Sequence, residues 1–184
     1  MQPALILHSY SRKRPEDQEE TWRALEEIRQ SYTVVDELCE GPYGYHDAIA
    51  KYWGKGRTIL SVEMDIVPTL FDVEEILSCP ETHCYFPHRI SGTPEPYSTS
   101  RSTWSQELPY GYIYSLAFAK FTPAAQDLVP KGDWLHKTDW VTTDRCIEVP
   151  LIERSKRKMH LHERFVKHNH SASSWEELRR ERNT

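Results

Sequence analysis

A single apolar run that ends in acid, Arg57-Thr58-Ile59-Leu60-Ser61-Val62-Glu63-Met64-Asp65-Ile66-Val67-Pro68-Thr69, constrains this chain more than any other stretch. Ile59, Leu60 and Val62 favour strand, and the run is bounded by Gly54 and Gly56 before it and Pro68 after it, which predicts a short buried strand. Glu63 and Asp65 stand at its carboxyl end, and in an extended chain they point to the same side. A carboxylate resists burial unless something positive meets it. At the carboxyl end of a strand in an open α/β sheet, where ligands bind, a divalent metal carrying a phosphorylated substrate is the natural partner. The alternative is that the two acids simply begin a solvated loop.

The chain has 184 residues, enough for one substantial core. A mean hydropathy of −0.70 and 38% hydrophobic residues describe a wet surface, and no apolar run approaches the roughly 20 residues that cross a bilayer. No secretory signal is visible. Cys39, Cys79, Cys84 and Cys146 show neither CxxC pairing nor zinc-ribbon spacing, so free thiols in a reducing cytoplasm are expected. The net charge of −5 argues against a protein wholly devoted to nucleic acid. The charge is uneven, however, and basic clusters at Arg12 to Arg14 and Arg154 to Lys158 leave room for a local anionic ligand.

Taken in order, Ala4 to Leu7 predicts a first strand, with His8 to Arg12 as the loop after it. Glu16 to Gln30 predicts an amphipathic helix with Trp22, Leu25 and Ile28 on one face. Thr33 to Val35 reads as a strand, and Ala48, Ile49, Tyr52 and Trp53 as a helical face that stops at Gly54. After the central strand come a helix with Leu70, Val73, Ile76 and Leu77, then a strand over His83 to Phe86 ending at Pro87. This alternation predicts an α/β fold. Ser91 to Ser105 reads as a long loop, Tyr110 to Phe121 as a strand, Pro123 to Leu128 as a short helix, and Trp134 to Ile147 as a helix. Met159 to His170 concentrates His160, His162, His168 and His170, and Ser173 to Leu178 carries a capping-box pattern.

Several of these features occur together in an order that resembles compact GT-A-type, family-2-like glycosyltransferases, including small bacteriophage enzymes associated with hypermodified DNA. The residues that carry the resemblance are Glu63-Met64-Asp65-Ile66-Val67-Pro68, Cys79-Pro80, Cys84-Tyr85-Phe86-Pro87, Gly111-Tyr112, Trp134 with Asp139, and the histidine-rich C-terminal segment. The resemblance implies a single compact GT-A-like (Rossmann-like) domain over residues 1–170, with a mixed, mostly parallel sheet flanked by helices, and a helical tail over 171–184. It implies transfer of a sugar from a nucleotide sugar, with a UDP-sugar as the expected donor, and a divalent metal, Mn or Mg, bridging the donor's diphosphate. Asp65 would bind that metal, with Glu63 nearby. Glu63 stands where such enzymes usually have a first aspartate, which makes Asp65 the better ligand of the two.

His168 matches the metal ligand that similar enzymes supply from the C-terminal segment, with His162 and His170 as competitors. Read from spacing alone, two His-x-His pairs could instead form a zinc site, or the histidines could be exposed among Arg164 and Lys167. The base that takes the acceptor's proton would be Asp139, with Asp144 as the alternative. Tyr10 would stack on the donor's base and Arg12 would meet its phosphate. If the acceptor is a 5-hydroxymethylpyrimidine in DNA, Arg154, Lys156, Arg157 and Lys158 form the densest basic surface for its phosphates, and the setting would be the cytoplasm, that of the host cell for a phage enzyme. Two rivals from other classes are a metal-dependent nuclease or phosphohydrolase, which calls for a denser set of acids and histidines, and a non-enzymatic nucleotide- or nucleic-acid-binding module.

Overall fold

The computed structural model describes residues 3–12, 15–41, 43–90, 116–134, 143–157 and 160–169. Strand β1 (Leu5–Tyr10) leads through α1 (Pro15–Ile28) to β2 (Thr33–Leu38), and α2 (Gly44–Tyr52) leads to β3 (Ile59–Glu63). Then follow β4 (Ile66–Val67), α3 (Leu70–Ser78), β5 (His83–Tyr85) and β6 (His88–Ile90). The rest comprises β7 (Phe118–Phe121), α4 (Pro123–Leu128), α5 (Thr143–Ser155), β8 (His160–Leu161) and β9 (Val166–His168).

Among the described residues six strands form one sheet in the order β2-β1-β3-β7-β5-β8, and β4-β9-β6 form a second, small sheet. In the large sheet β1 pairs parallel with β2 and β3, and β8 pairs parallel with β5. Only β7 runs against its neighbours. The fold is therefore α/β with a mixed, mostly parallel sheet flanked by helices.

Alternation along the strands divides the core between the two faces of the sheet. Leu7, Ile59, Tyr85, Ala119 and Phe121 pack with α2, α4 and α5. Ile6, Leu60, Val62, Cys84 and Phe118 pack with α1 and α3. Each fully buried leucine or isoleucine here contributes roughly 1.5–3 kcal/mol. The indole N–H of Trp53 donates to the carbonyl of Val129 at 2.8 Å, so this large ring is buried without leaving a polar atom unmet. Local signals start the helices. Acidic Glu16 and Asp17 open α1. Thr69 and Asp72 form a capping box on α3, and Thr122 caps α4 with Pro123 in its first turn.

Several boundaries differ from those expected. β1 continues through His8 and Ser9 to Tyr10, and β2 continues to Leu38. The reason is that His8 and Asp36 lie opposite each other in the parallel pair and meet at 2.9 Å, so polar residues extend strands that hydropathy alone would end. The helix expected over Trp134 to Ile147 is instead α5, which runs to Ser155 with Pro150 inside it. Ser91 to Ser105, Tyr110 to Ile113, Gly111-Tyr112, Asp139, Lys158, His170 and the tail at 171–184 lie outside the described residues. No described helix is long and apolar enough to cross a membrane.

Candidate active site

The parallel strands β1, β2 and β3 end at one edge of the sheet, and the order of the chain reverses there, with β2 on one side of β1 and β3 on the other. Such a reversal opens a crevice beyond the strand ends where ligands bind in α/β sheets. Tyr10 is the last residue of β1 and Glu63 the last of β3, and Ser9 lies opposite Glu63 in the register. The Tyr10 ring packs edge-on against Trp22 at 5.2 Å, and its carbonyl accepts from the Cys39 backbone at 2.7 Å. Arg12 follows on the surface in an ion pair with Glu40 at 3.1 Å, both side chains exposed. An exposed pair of this kind holds Arg12 weakly, leaving it able to exchange Glu40 for another anion.

Glu63 and Asp65 do not continue one extended strand. β3 stops at Glu63, residues 64 and 65 turn, and the chain enters β4. The two carboxylates consequently have different neighbours. Glu63 lies toward Cys39, whose thiol is pushed up to about 12 by burial first, with the Glu63 charge adding to it. Asp65 is turned toward the small sheet.

That small sheet determines what meets Asp65. β9 pairs antiparallel with β4, placing Ile66 opposite His168, and pairs parallel with β6, placing Ile90 opposite His168. The backbone N–H of Asn169 donates to the Asp65 carbonyl at 2.8 Å. Held in this way, His168 brings Nε2 to 3.5 Å from Oδ1 of Asp65. The ring of His88 stacks on that of His168 at 4.9 Å and 20°. Asp65, His88 and His168 are all buried, at 3%, 2% and 6% exposure. A carboxylate so far out of water needs a cation, whether an imidazolium or a metal ion. Neighbouring ligand atoms on a small octahedral cation lie about 3 Å apart, so the Asp65 oxygen and the His168 nitrogen fit one such ion with little movement. An oxygen and an imidazole nitrogen together suit manganese better than magnesium.

The other histidines go elsewhere. His162 puts Nδ1 2.9 Å from Glu75 and stacks on Phe86, and burial lowers its pKa while Glu75 opposes the shift. His160, in β8, lies edge-on to His162 at 4.9 Å. Asp72, besides capping α3, accepts from Arg164 at 2.9 Å.

In the basic segment the residues divide. Arg154 donates to the Leu128 carbonyl at 2.7 Å and to Asp133 at 2.6 Å, so it ties α5 to the end of α4. Lys156, in a left-handed conformation at φ 51°, and Arg157 are exposed. Asp144 lies within α5, but its side chain is outside the described residues. His88 carried no sequence signal, being a single histidine behind a proline. A hollow of about 340 Å³ beside Trp53, Lys55 and Lys131 lies at the other end of β3, away from Asp65 and His168.

No protein-family model matches the sequence, and no curated protein matches it. Among solved structures the chain is similar to a glycosyltransferase involved in the glycosylation of the major capsid of PBCV-1, with 12% identity over 97% of this chain and 100% of that one, and a TM-score of 0.49. A likeness of that degree carries no residue role across to this chain.

Proposed function

We propose that this protein is a metal-dependent glycosyltransferase of the GT-A type that moves a sugar from a nucleotide sugar to a hydroxyl acceptor. The observation that carries this reading is the approach of His168 to Asp65 at 3.5 Å, beside the sheet edge where the chain order reverses. The motif resemblance around Asp65 supports the same reading. Asp65 and His168 would hold the cation, which when bound neutralises the donor's diphosphate and eases its departure. His168 can ligate only as the neutral imidazole. The ring of His88 stacked against it, and the β4 and β6 pairings on either side of β9, fix its orientation before any ligand arrives.

Around that pair, Tyr10 offers an aromatic face at the end of β1 and Arg12 an exposed guanidinium for phosphate. Asp139, or Asp144, is the proposed proton acceptor for the attacking hydroxyl. A 5-hydroxymethylpyrimidine in DNA, with a UDP-sugar as donor, is the acceptor proposed from the exposed Lys156 and Arg157, although Arg157 lies beside His83, at the sheet edge opposite Glu63. The test is a donor and acceptor screen read by mass spectrometry, with manganese, magnesium or a chelator present, using small hydroxyl compounds and hydroxymethylated DNA. Mass gain equal to one sugar residue, abolished by chelator, is the expected result. Cleavage of phosphodiesters without sugar transfer would replace this reading with the nuclease one.

A further inference from the structure

At the far end of α3, a sulfur and two imidazole nitrogens converge from separate elements. Cys79 is the C-cap residue of α3, His160 lies in β8, and His162 follows it. One ligand atom from each lies within 4.8 Å of the other two. We propose that Cys79, His160 and His162 form a zinc site, made of residues distinct from those of the proposed donor site, that fastens the edge strand β8 to the end of α3.

His162 is the fixed corner of the cluster. Its ring stacks on Phe86 at 4.3 Å and 12°, and its backbone N–H donates to the Tyr85 carbonyl at 2.9 Å. Nδ1 faces the Glu75 carboxylate at 2.9 Å. A proton on Nδ1 satisfies that contact and leaves a lone pair on Nε2. This nitrogen is buried and has no hydrogen-bond partner among the described residues, in a side chain only 7% exposed. Leaving such an atom unmet is costly, and ligation to a metal removes the cost. The carboxylate behind the imidazole is the outer-shell arrangement that orients histidine ligands in zinc proteins.

The other two corners fit the same ion. Cys79 sulfur is a soft ligand that a hard cation such as magnesium would not select, and a Cys-His-His set suits zinc. Cys84, by contrast, is buried and turns its sulfur to the Ile76 carbonyl at 3.9 Å, so Cys79 supplies the sulfur of this set. The Lys120 ammonium donates to the Cys79 carbonyl at 2.5 Å, which fixes the backbone that carries the sulfur. Tetrahedral zinc sets its ligand atoms about 3.3–3.6 Å apart. His160 is exposed, so its ring can close the remaining gap without unpacking the core, and the solvent on that side supplies a water as fourth ligand.

The need for such a clip is visible in the sheet. β8 is two residues long and, among the described residues, pairs with β5 alone at the sheet edge. So short an edge strand has little stability of its own.

The test uses the full chain with Asp65→Asn as background, to silence the proposed donor site, stripped with chelator and titrated with cobalt and then zinc. One equivalent of cobalt should produce a thiolate-to-metal charge-transfer band in the near ultraviolet and the intense visible bands of a tetrahedral ion, both removed by zinc. Cys79→Ser should abolish the charge-transfer band, while Cys84→Ser should retain it. His160→Ala, an exposed substitution that leaves the core intact, should weaken zinc about tenfold or more. Absence of the band, its survival in Cys79→Ser, or an unchanged zinc affinity in His160→Ala would each overturn the proposal. Loss of sugar transfer in the Asp65→Asn background has no bearing on these readings, so the two sites fail or stand separately.

Discussion

Nε2 of His168 lies 3.5 Å from Oδ1 of Asp65, although one residue follows the central strand and the other closes the last described strand of the chain. Register, not sequence proximity, makes the contact. β9 inserts between β4 and β6, and the pairing of Ile66 with His168 brings His168 beside Asp65, the residue before Ile66. The account therefore predicts that His168→Ala weakens manganese-dependent binding of a nucleoside diphosphate by about tenfold or more, while His160→Ala leaves it unchanged. Isothermal titration with and without manganese measures both. Equal losses in the two variants would mean that the histidine segment acts as a whole and not through His168.

Acid stability follows from His83. This side chain is 4% exposed, and burial depresses its pKa to about 4, against about 6.5 in an unfolded chain. Above pH 6.5 the group is neutral in both states and contributes nothing. As the pH falls from 6.5 toward 4 the unfolded chain takes up the proton first, so stability is lost across that window, by up to about 3 kcal/mol. His83→Gln should remove this part of the slope. Urea unfolding at pH 7 and at pH 4.5 checks it: the parent should lose more stability between the two than the variant.

The basic segment should act unevenly. Arg154 is engaged with Asp133 and the Leu128 carbonyl, with both partners of the ion pair about 42% exposed. Solvent screening limits that pair to about 1 kcal/mol or less. Arg154→Ala should thus lower the melting temperature slightly and change DNA affinity little. Replacing Arg157 and Lys158 together by Ala should flatten the slope of log affinity against log salt by about two. Binding to hydroxymethylated duplex measured at several salt concentrations separates the two residue sets, and a steeper loss in Arg154→Ala would reverse their assignment.

Much of the large sheet is legible in the sequence because its signals are local. The apolar runs at Leu5 to Leu7 and Ile59 to Val62 mark the two central strands, and the capping residues Thr69 and Thr122 mark where helices begin. Polar residues hid the rest of β1 and β2, since the burial of His8 depends on Asp36 from the neighbouring strand. A strand does end before Pro87, but β6 starts immediately after it, and α5 runs past Ile147 with Pro150 inside it. Of the small sheet only a histidine-rich C-terminal strand is expected from the resemblance, and β9 is that strand. The rest is not legible, because strands of two or three residues carry no periodicity and their pairing is entirely long-range. For the site this matters directly. One histidine-rich stretch separates into His160 and His162 near α3 and His168 beside Asp65, and His88 joins the latter only through the β6 and β9 pairing.

The most direct measurement of the central claim is calorimetric titration of UDP into the protein with manganese and with chelator, for the parent and for Asp65→Asn. The amide keeps the shape of the side chain and removes the charge that holds a hard cation, while circular dichroism confirms that the fold persists. The account predicts that the parent binds UDP substantially more tightly with manganese than with chelator, and that Asp65→Asn loses most of this difference. Manganese-dependent binding of the same strength in both proteins would contradict it.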